Sequence, residues 1–435
     1  MRDLILLSFT AICLIVALRY PFAGLLTWAW FTLMAPHQAA YGAFGVPLNA
    51  VIAGATLVAV IASGEIRRFK LDPVSFLFIA LAGWMAIAQA YSLDPANSAI
   101  YYERFTKTLL FAFLCAQMAT DKLRFHALVW MLVISIGFFA AKGAIFTLLT
   151  FGQFHVQGMP NTVLEDNNHF GIATATMLPM ILYLHGQAAQ PWVKRGLLIL
   201  FALSVLAIIG TQSRGAFVSL LVFSGFFWVR AKRKLSILAG MMLVLIPAAA
   251  FMPSTWSDRM ATISEATEDA SFMGRVDAWA INAKLAQENP LTGAGLRNSY
   301  QKDIAAAVDR ERAERAKAAH SIYFEMLGGA GYVGLGVYLM LFARAFFGAW
   351  KIYLSRGGPG VADWQARFAY HAQTALVVFA VGGASASMEM WDGYLVVIAL
   401  IGALTRLATT PVHTRGYALR KQRAVRWRRA LGPAA

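Results

Sequence analysis

Only two cysteines occur in 435 residues, Cys13 and Cys115, and both lie inside apolar runs. That count excludes a disulfide framework as the basis of the fold. Charge is scarce too: Asp, Glu, Lys and Arg make up 14% of the chain, against about 25% in soluble domains. Acidic residues are the scarcer sign, 22 against 38 Lys and Arg, and none follows Asp392. There is no HExxH, no CxxC and no DxD pair, so the sequence indicates no dedicated metal site. "GAGYVG" (329–334) matches GxGxxG in letters only. It sits inside an apolar run and follows no strand, which argues against a nucleotide site. Small residues there let helices approach closely.

What is present is hydrophobic. Apolar residues make up 59% of the chain, and mean hydropathy is +0.57. They cluster in runs at 4–18, 20–34, 46–62, 74–91, 108–118, 127–149, 171–184, 196–209, 216–229, 235–252, 321–347, 369–386 and 394–407. A bilayer core of about 30 Å needs roughly 20 residues of helix. The expected fold is therefore all-α, a polytopic integral membrane protein with a single membrane domain over 1–435 and about 12–13 transmembrane helices. The first two runs, parted by Arg19 and Pro21, read as two tilted helices or one broken helix. No small-residue cleavage site follows the first run, so it is not read as a removed signal peptide.

Net charge is +16, which in a soluble protein would point to nucleic acid. Here the basic residues fall in short loops between apolar runs and read as orientation signals. The tail over 408–435 carries Arg415, Arg420, Lys421, Arg423, Arg426, Arg428 and Arg429, so it is expected in the cytoplasm, where it also suits anionic lipid headgroups. Counting back, Lys351, Arg230, Lys194, Lys122 and Arg67 fall on the same side. The opposite face then holds four connections: 150–169, the turn "GTQSRG", the stretch 253–319 and the tip "SMEMWD" (387–392). The long stretch carries nine basic and ten acidic side chains, so it is nearly neutral. A loop of that length usually has structure of its own, here expected as a small helical cap.

Most titratable groups on that face lie in these four connections. Arg214 in "TQSRGAF" begins an apolar run. An interfacial anchor is the plain reading, but the positive-inside rule disfavours arginine on this side, and Ser213 with Gly215 leaves room for an anion. Arg275 and Trp279 in "MGRVDAW" are four apart and share a helix face. Arg297 follows a Gly-rich turn. His320 in "AAHSIYFEMLG" begins a membrane helix, where backbone N–H groups favour anions. Glu325 lies about one turn further in, at a depth where acidic groups are functional candidates by default.

These motifs resemble the O-antigen ligase and polymerase superfamily. "HSIYFEMLGGAGYVGLGVYL" is similar to its late-helix histidine signature, "SRGAF" to its arginine at the outer end of a middle helix, and "MGRVDAW" to its Gly-Arg-x-x-x-Trp pattern. "MRDLILLSF", "LRYPFAGLLTWAW", "MAPHQ" and "DRMATISEATEDASFMGR" resemble a subgroup, the O-glycosylation ligases associated with exosortase A systems. The resemblance implies a bundle of about a dozen membrane helices with a large periplasmic loop, in the bacterial inner membrane. It implies a glycan donor on an undecaprenyl pyrophosphate carrier, with Arg214 and Arg275 on the pyrophosphate and His320 as base.

The expected activity is therefore that of a membrane glycan ligase, an O-oligosaccharyl glycosyltransferase. It would move a glycan to an acceptor hydroxyl on lipid, protein or glycan at the periplasmic face, with inversion and without a metal or cofactor. Asn167, Asn168 and His169 in "EDNNH", together with Arg297, Glu325 and Asp392, are the further candidates for substrate contact; helix capping is the plain reading of several. A polymerase would use the same catalytic residues with a second lipid-linked glycan as acceptor. A transporter or flippase of lipid-linked sugars should show two related halves with broken helices, and no internal repeat is present.

Overall fold

The computed structural model describes residues 2–39, 45–230, 233–235, 239–240, 242, 270–358 and 360–409. Most of the expected apolar run 235–252, the start of the long connection (253–269, with Trp256) and the basic tail from 410 lie outside the described residues. Fourteen α-helices and no strand are found among the described residues. They are α1 Arg2–Arg19, α2 Pro21–Met34, α3 Leu48–Ala62, α4 Pro73–Ala90, α5 Pro95–Met118, α6 Lys122–Leu149 and α7 Asn167–Gln187. Then come α8 Pro191–Gly210, α9 Arg214–Val229, α10 Ala270–Glu288, α11 Lys302–Arg315, α12 Ile322–Leu354, α13 Asp363–Gly383 and α14 Asp392–Thr409. The protein is an all-α polytopic membrane protein: α4, α6, α8 and α12 are each long and apolar enough to cross a membrane alone, and α2, α3 and α9 are shorter apolar helices.

Helix starts are marked by local chemistry. Asp72, Asp94, Asp121 and Asp166 each accept backbone N–H bonds at an N-terminus, which satisfies donors that have no intrahelical partner. Proline fills the first position of α2, α4, α5 and α8, where its missing N–H costs nothing. The Asp94–Pro95 start explains why α5 begins well before the expected run at 108. Its first half, "PANSAIYYERFTK", is polar, but the cap sets its helical phase. The first two apolar runs are two helices: α1 packs back on α2 and also touches α3. Its outer side chains, such as Leu4 and Ile15, are about as exposed as lipid-facing residues should be, at 73% and 71%.

The centre of the bundle is α7. It is buried almost throughout from Phe170 to Leu184, enclosed by α6, α8, α9 and α13. The long connection is helical in its described part, with α10 and α11 packed on each other and α10 laid against α12. Gly331 makes that docking possible. It adopts φ +69 inside α12, and a Cβ there would lie 2.3 Å from the Leu291 carbonyl oxygen. The break lets the turn after α10 bond to α12 through Ala294 N–H to Gly328 O (2.8 Å) and Tyr332 N–H to Pro290 O (2.9 Å). "GAGYVG" is thus a docking notch for the connection.

Candidate active site

His320 immediately precedes Ser321, the N-cap of α12, and has φ +44. A left-handed, non-glycine residue costs roughly 1–3 kcal/mol, and such strain clusters at functional sites. The chain on either side is held. The Trp279 indole donates to the Ala319 carbonyl (2.7 Å) and stacks on Phe324 at 5.2 Å. Lys317 N–H donates to Gly274 O (3.0 Å). The "GRVDAW" segment of α10 is therefore bound to the turn that carries His320, and Arg275 is close enough for its charge to act on the imidazole.

Across from it, His169 sits in the first turn of α7, which Asp166 caps by accepting from Asn168 N–H and His169 N–H. His169 Nδ1 donates to the Val163 carbonyl (2.8 Å), so in the neutral ring Nε2 is the lone-pair nitrogen. That Nε2 and His320 Nδ1 are both buried without a hydrogen-bond partner among the described residues. The two rings meet edge to face at 6.2 Å. Burial first, then Arg275 and His169, push the His320 pKa down to about 4, while Asp166 pulls it up. His320 is neutral at pH 7.

Arg214 is joined to the same turn of α7 through its neighbours. The Ser213 hydroxyl caps α9 by accepting from Ala216 N–H and donates to Asn168 Oδ1 (2.5 Å). Asn168 Nδ2 donates to the Ser385 carbonyl (2.7 Å). Gly215 is required by this closeness, since a Cβ would fall 2.4 Å from Ser385 Oγ and 2.5 Å from Asn168 Oδ1. Gln212, just before, has φ +52 and donates to Gly152 O (2.7 Å). Asn167 Nδ2 donates to Thr211 O (2.8 Å). Asn167 and Asn168 thus bind the start of α9 and the 384–391 connection to α7. Adjacent residues of one helical turn hold Arg214's turn and touch His320.

Arg297 and Glu325 occupy a separate, buried network one step along α12. Arg297 has φ +62. Its guanidinium pairs with Glu325 at 2.8 Å and with Glu389 at 2.6 Å, and donates to the Tyr300 hydroxyl (2.6 Å). Glu325 also accepts from Tyr300 (2.5 Å) and Ser387 (2.7 Å). These groups tie two connections, 289–301 and 384–391, to α12, and removing one charge from such a pair costs about 3–5 kcal/mol. Burial pushes the Glu389 carboxyl up to about 7, with Arg297 opposing and Glu325 adding. Sequence reading did not single out Tyr300, Ser387, Glu389 or Asp166. Glu389 in "SMEMWD" carried the same signal as Glu325, an acidic side chain beside apolar runs.

Asp392 begins α14 and lines a different hollow, a cavity of about 220 Å³ with Arg104 and Thr108. Among the described residues no group of three or more His, Cys, Asp and Glu is placed to hold a metal ion.

The arrangement has a neutral imidazole, a nearby guanidinium, and a second arginine at a helix N-terminus on the same turn system. Comparison with known families adds to it. Residues 199–339 match a family model described as O-antigen ligase, a span that contains Arg214, Arg275, Arg297, His320 and Glu325. Residues 1–189 match a family of unknown function, which contributes Asn167, Asn168 and His169. No curated protein matches the chain. The match over 199–339 makes that part of the chain similar to the O-antigen ligase family and supports a membrane protein of the glycan ligase or polymerase type.

Proposed function

We propose that the protein transfers a glycan from an undecaprenyl pyrophosphate carrier to an acceptor hydroxyl on the periplasmic face of the inner membrane. The carrying observation is His320: strained, neutral, with a buried nitrogen that has no hydrogen-bond partner among the described residues, beside Arg275 and His169. His320 takes the proton from the acceptor hydroxyl as its oxygen attacks the anomeric carbon. The C–O bond to the carrier breaks, and its electron pair leaves on the lipid pyrophosphate. One displacement inverts the anomeric centre. Arg214 and Arg275 stabilise the charge that grows on the leaving group, a task suited to guanidinium forks, so no metal is needed for it. Asn167 and Asn168 position this machinery through their bonds to α9.

A His320 pKa near 4 describes the site without donor. A bound pyrophosphate beside Arg275 offsets that positive charge and raises the imidazole's basicity toward the range useful at neutral pH. The connection 253–319 forms the periplasmic cap, and the tail over 408–435 is cytoplasmic. Among the superfamily's subgroups, the N-terminal motifs favour an exosortase-associated O-glycosylation ligase.

Purified protein with labelled lipid-linked glycan tests the reading. Inverted product on a separate acceptor, with release of undecaprenyl pyrophosphate, is the expected outcome. Lengthening of the lipid-linked pool without another acceptor would make the protein a polymerase. Movement of the donor across vesicles with no new glycosidic bond would refute transfer altogether.

A further inference from the structure

The 220 Å³ cavity is separate from the Arg214–His320 turn system yet shares a wall with it. The first turn of α7 touches His320 through His169 and lines the cavity with the next residue, Phe170. Val163, whose carbonyl receives His169, also lines it. Its wall is aromatic, with Trp28, Phe111 and Trp391. Polar groups stand among these rings. Asp392 is hydrogen-bonded by the Thr108 hydroxyl, Asn49 enters from α3, and Arg104 enters from α5. Arg104 is exposed and forms no ion pair among the described residues, although its charge reaches Asp392. Two further lining residues, His37 and Gln38, each carry one buried atom, Nδ1 and Oε1, without a hydrogen-bond partner among the described residues.

We propose that this cavity is a subsite for one sugar ring, taken from either the donor glycan or a glycan acceptor. Flat aromatic faces suit the apolar face of a pyranose, while its hydroxyls need donors and acceptors fixed around the rim. Asp392 and Asn49 accept from hydroxyls, and Arg104 donates. The volume is below the roughly 300–1,000 Å³ of drug-sized sites, so it holds one ring and not a chain. Long acyl chains are disfavoured by the charged rim. The inference rests on the glycan-transfer reading for its context, but direct binding tests it apart from turnover.

The probes are free glucose, N-acetylglucosamine and glucuronate, added to the full-length protein in detergent. Saturable binding by at least one is expected, read by saturation-transfer NMR and by tryptophan fluorescence. Asp392→Asn and Arg104→Gln should each weaken it roughly tenfold, the scale of one good polar contact. Arg104 is exposed, so its variant keeps the fold. Absence of saturable binding by all three sugars, or binding indifferent to both substitutions, overturns the proposal, as does displacement by free fatty acid alone. In transfer assays, a raised donor KM assigns the ring to the donor and a raised acceptor KM to the acceptor. Sugar binding without any transfer would leave the subsite standing and remove the enzymatic reading.

Discussion

The imidazoles of His169 and His320 meet edge to face with ring centroids 6.2 Å apart. One ring comes from the capped first turn of α7, the other from a strained residue at the entrance of α12. His169 donates to Val163 and so keeps a lone pair on Nε2. Each ring therefore bounds the other's environment. His169→Gln should leave the protein folded and lower transfer less than loss of His320. It should also shift the acid limb of activity upward, because His169 is one of the groups that lower the His320 pKa. A pH–rate profile on purified variants measures this.

Arg275 gives a sharper pH prediction. Its charge is, after burial, the largest influence holding the His320 pKa down to about 4. A base works when unprotonated, so kcat/KM falls as pH drops through that pKa. In Arg275→Gln the pKa rises, and the limb moves to higher pH. Donor affinity should fall in the same variant. An unmoved limb would separate Arg275 from His320.

Arg214→Ala should abolish transfer at normal expression. Arg214→Lys should remain poor, because a point charge does not reproduce a two-pronged fork on phosphate. Full activity in either would remove Arg214 from the donor site.

The Arg297–Glu325–Glu389 network predicts an effect on stability. Arg297→Met leaves two buried carboxylates without their cation and should cost about 3–5 kcal/mol, read as lost thermal stability in detergent. The Glu389 carboxyl is raised from 4.5 to about 7 by burial. A raised folded-state pKa contributes stability at pH below 4.5 that is lost as pH climbs toward 7. Thermal unfolding of the wild type should weaken across that window, and Glu389→Gln should flatten the change.

Topology is open to labelling. Cysteines placed at Ser271 and Ala424 should react from opposite sides of the membrane, the first from the periplasm. Same-side labelling would part Arg275 from the face that holds the donor.

The helices were largely legible because lipid-scale apolar runs are a strong signal. The polar start of α5 was not: Asp94 and Pro95 open a helix that hydropathy places later. The division among candidates was also hidden. Without the motif resemblance, Arg297 and Glu325 carried much the same signal in sequence as Arg275 and His320, a titratable side chain close to an apolar run. Only the long-range meeting of the 298–300 turn with Ser387 and Glu389 shows them tied into an ion network. Asn167 and Asn168 read equally as caps or ligands, and their bonds to Thr211, Ser213 and Ser385 depend on contacts distant in sequence. His169 gained weight only when folding brought it against His320.

The most direct test measures donor affinity and transfer rate separately on purified His320→Ala. The account predicts near-normal binding of undecaprenyl pyrophosphate-linked glycan and a rate at saturation lower by roughly 10²–10⁴-fold, with the acid limb gone. Weakened donor binding with the saturated rate intact would contradict it, making His320 a binding residue and placing the base elsewhere.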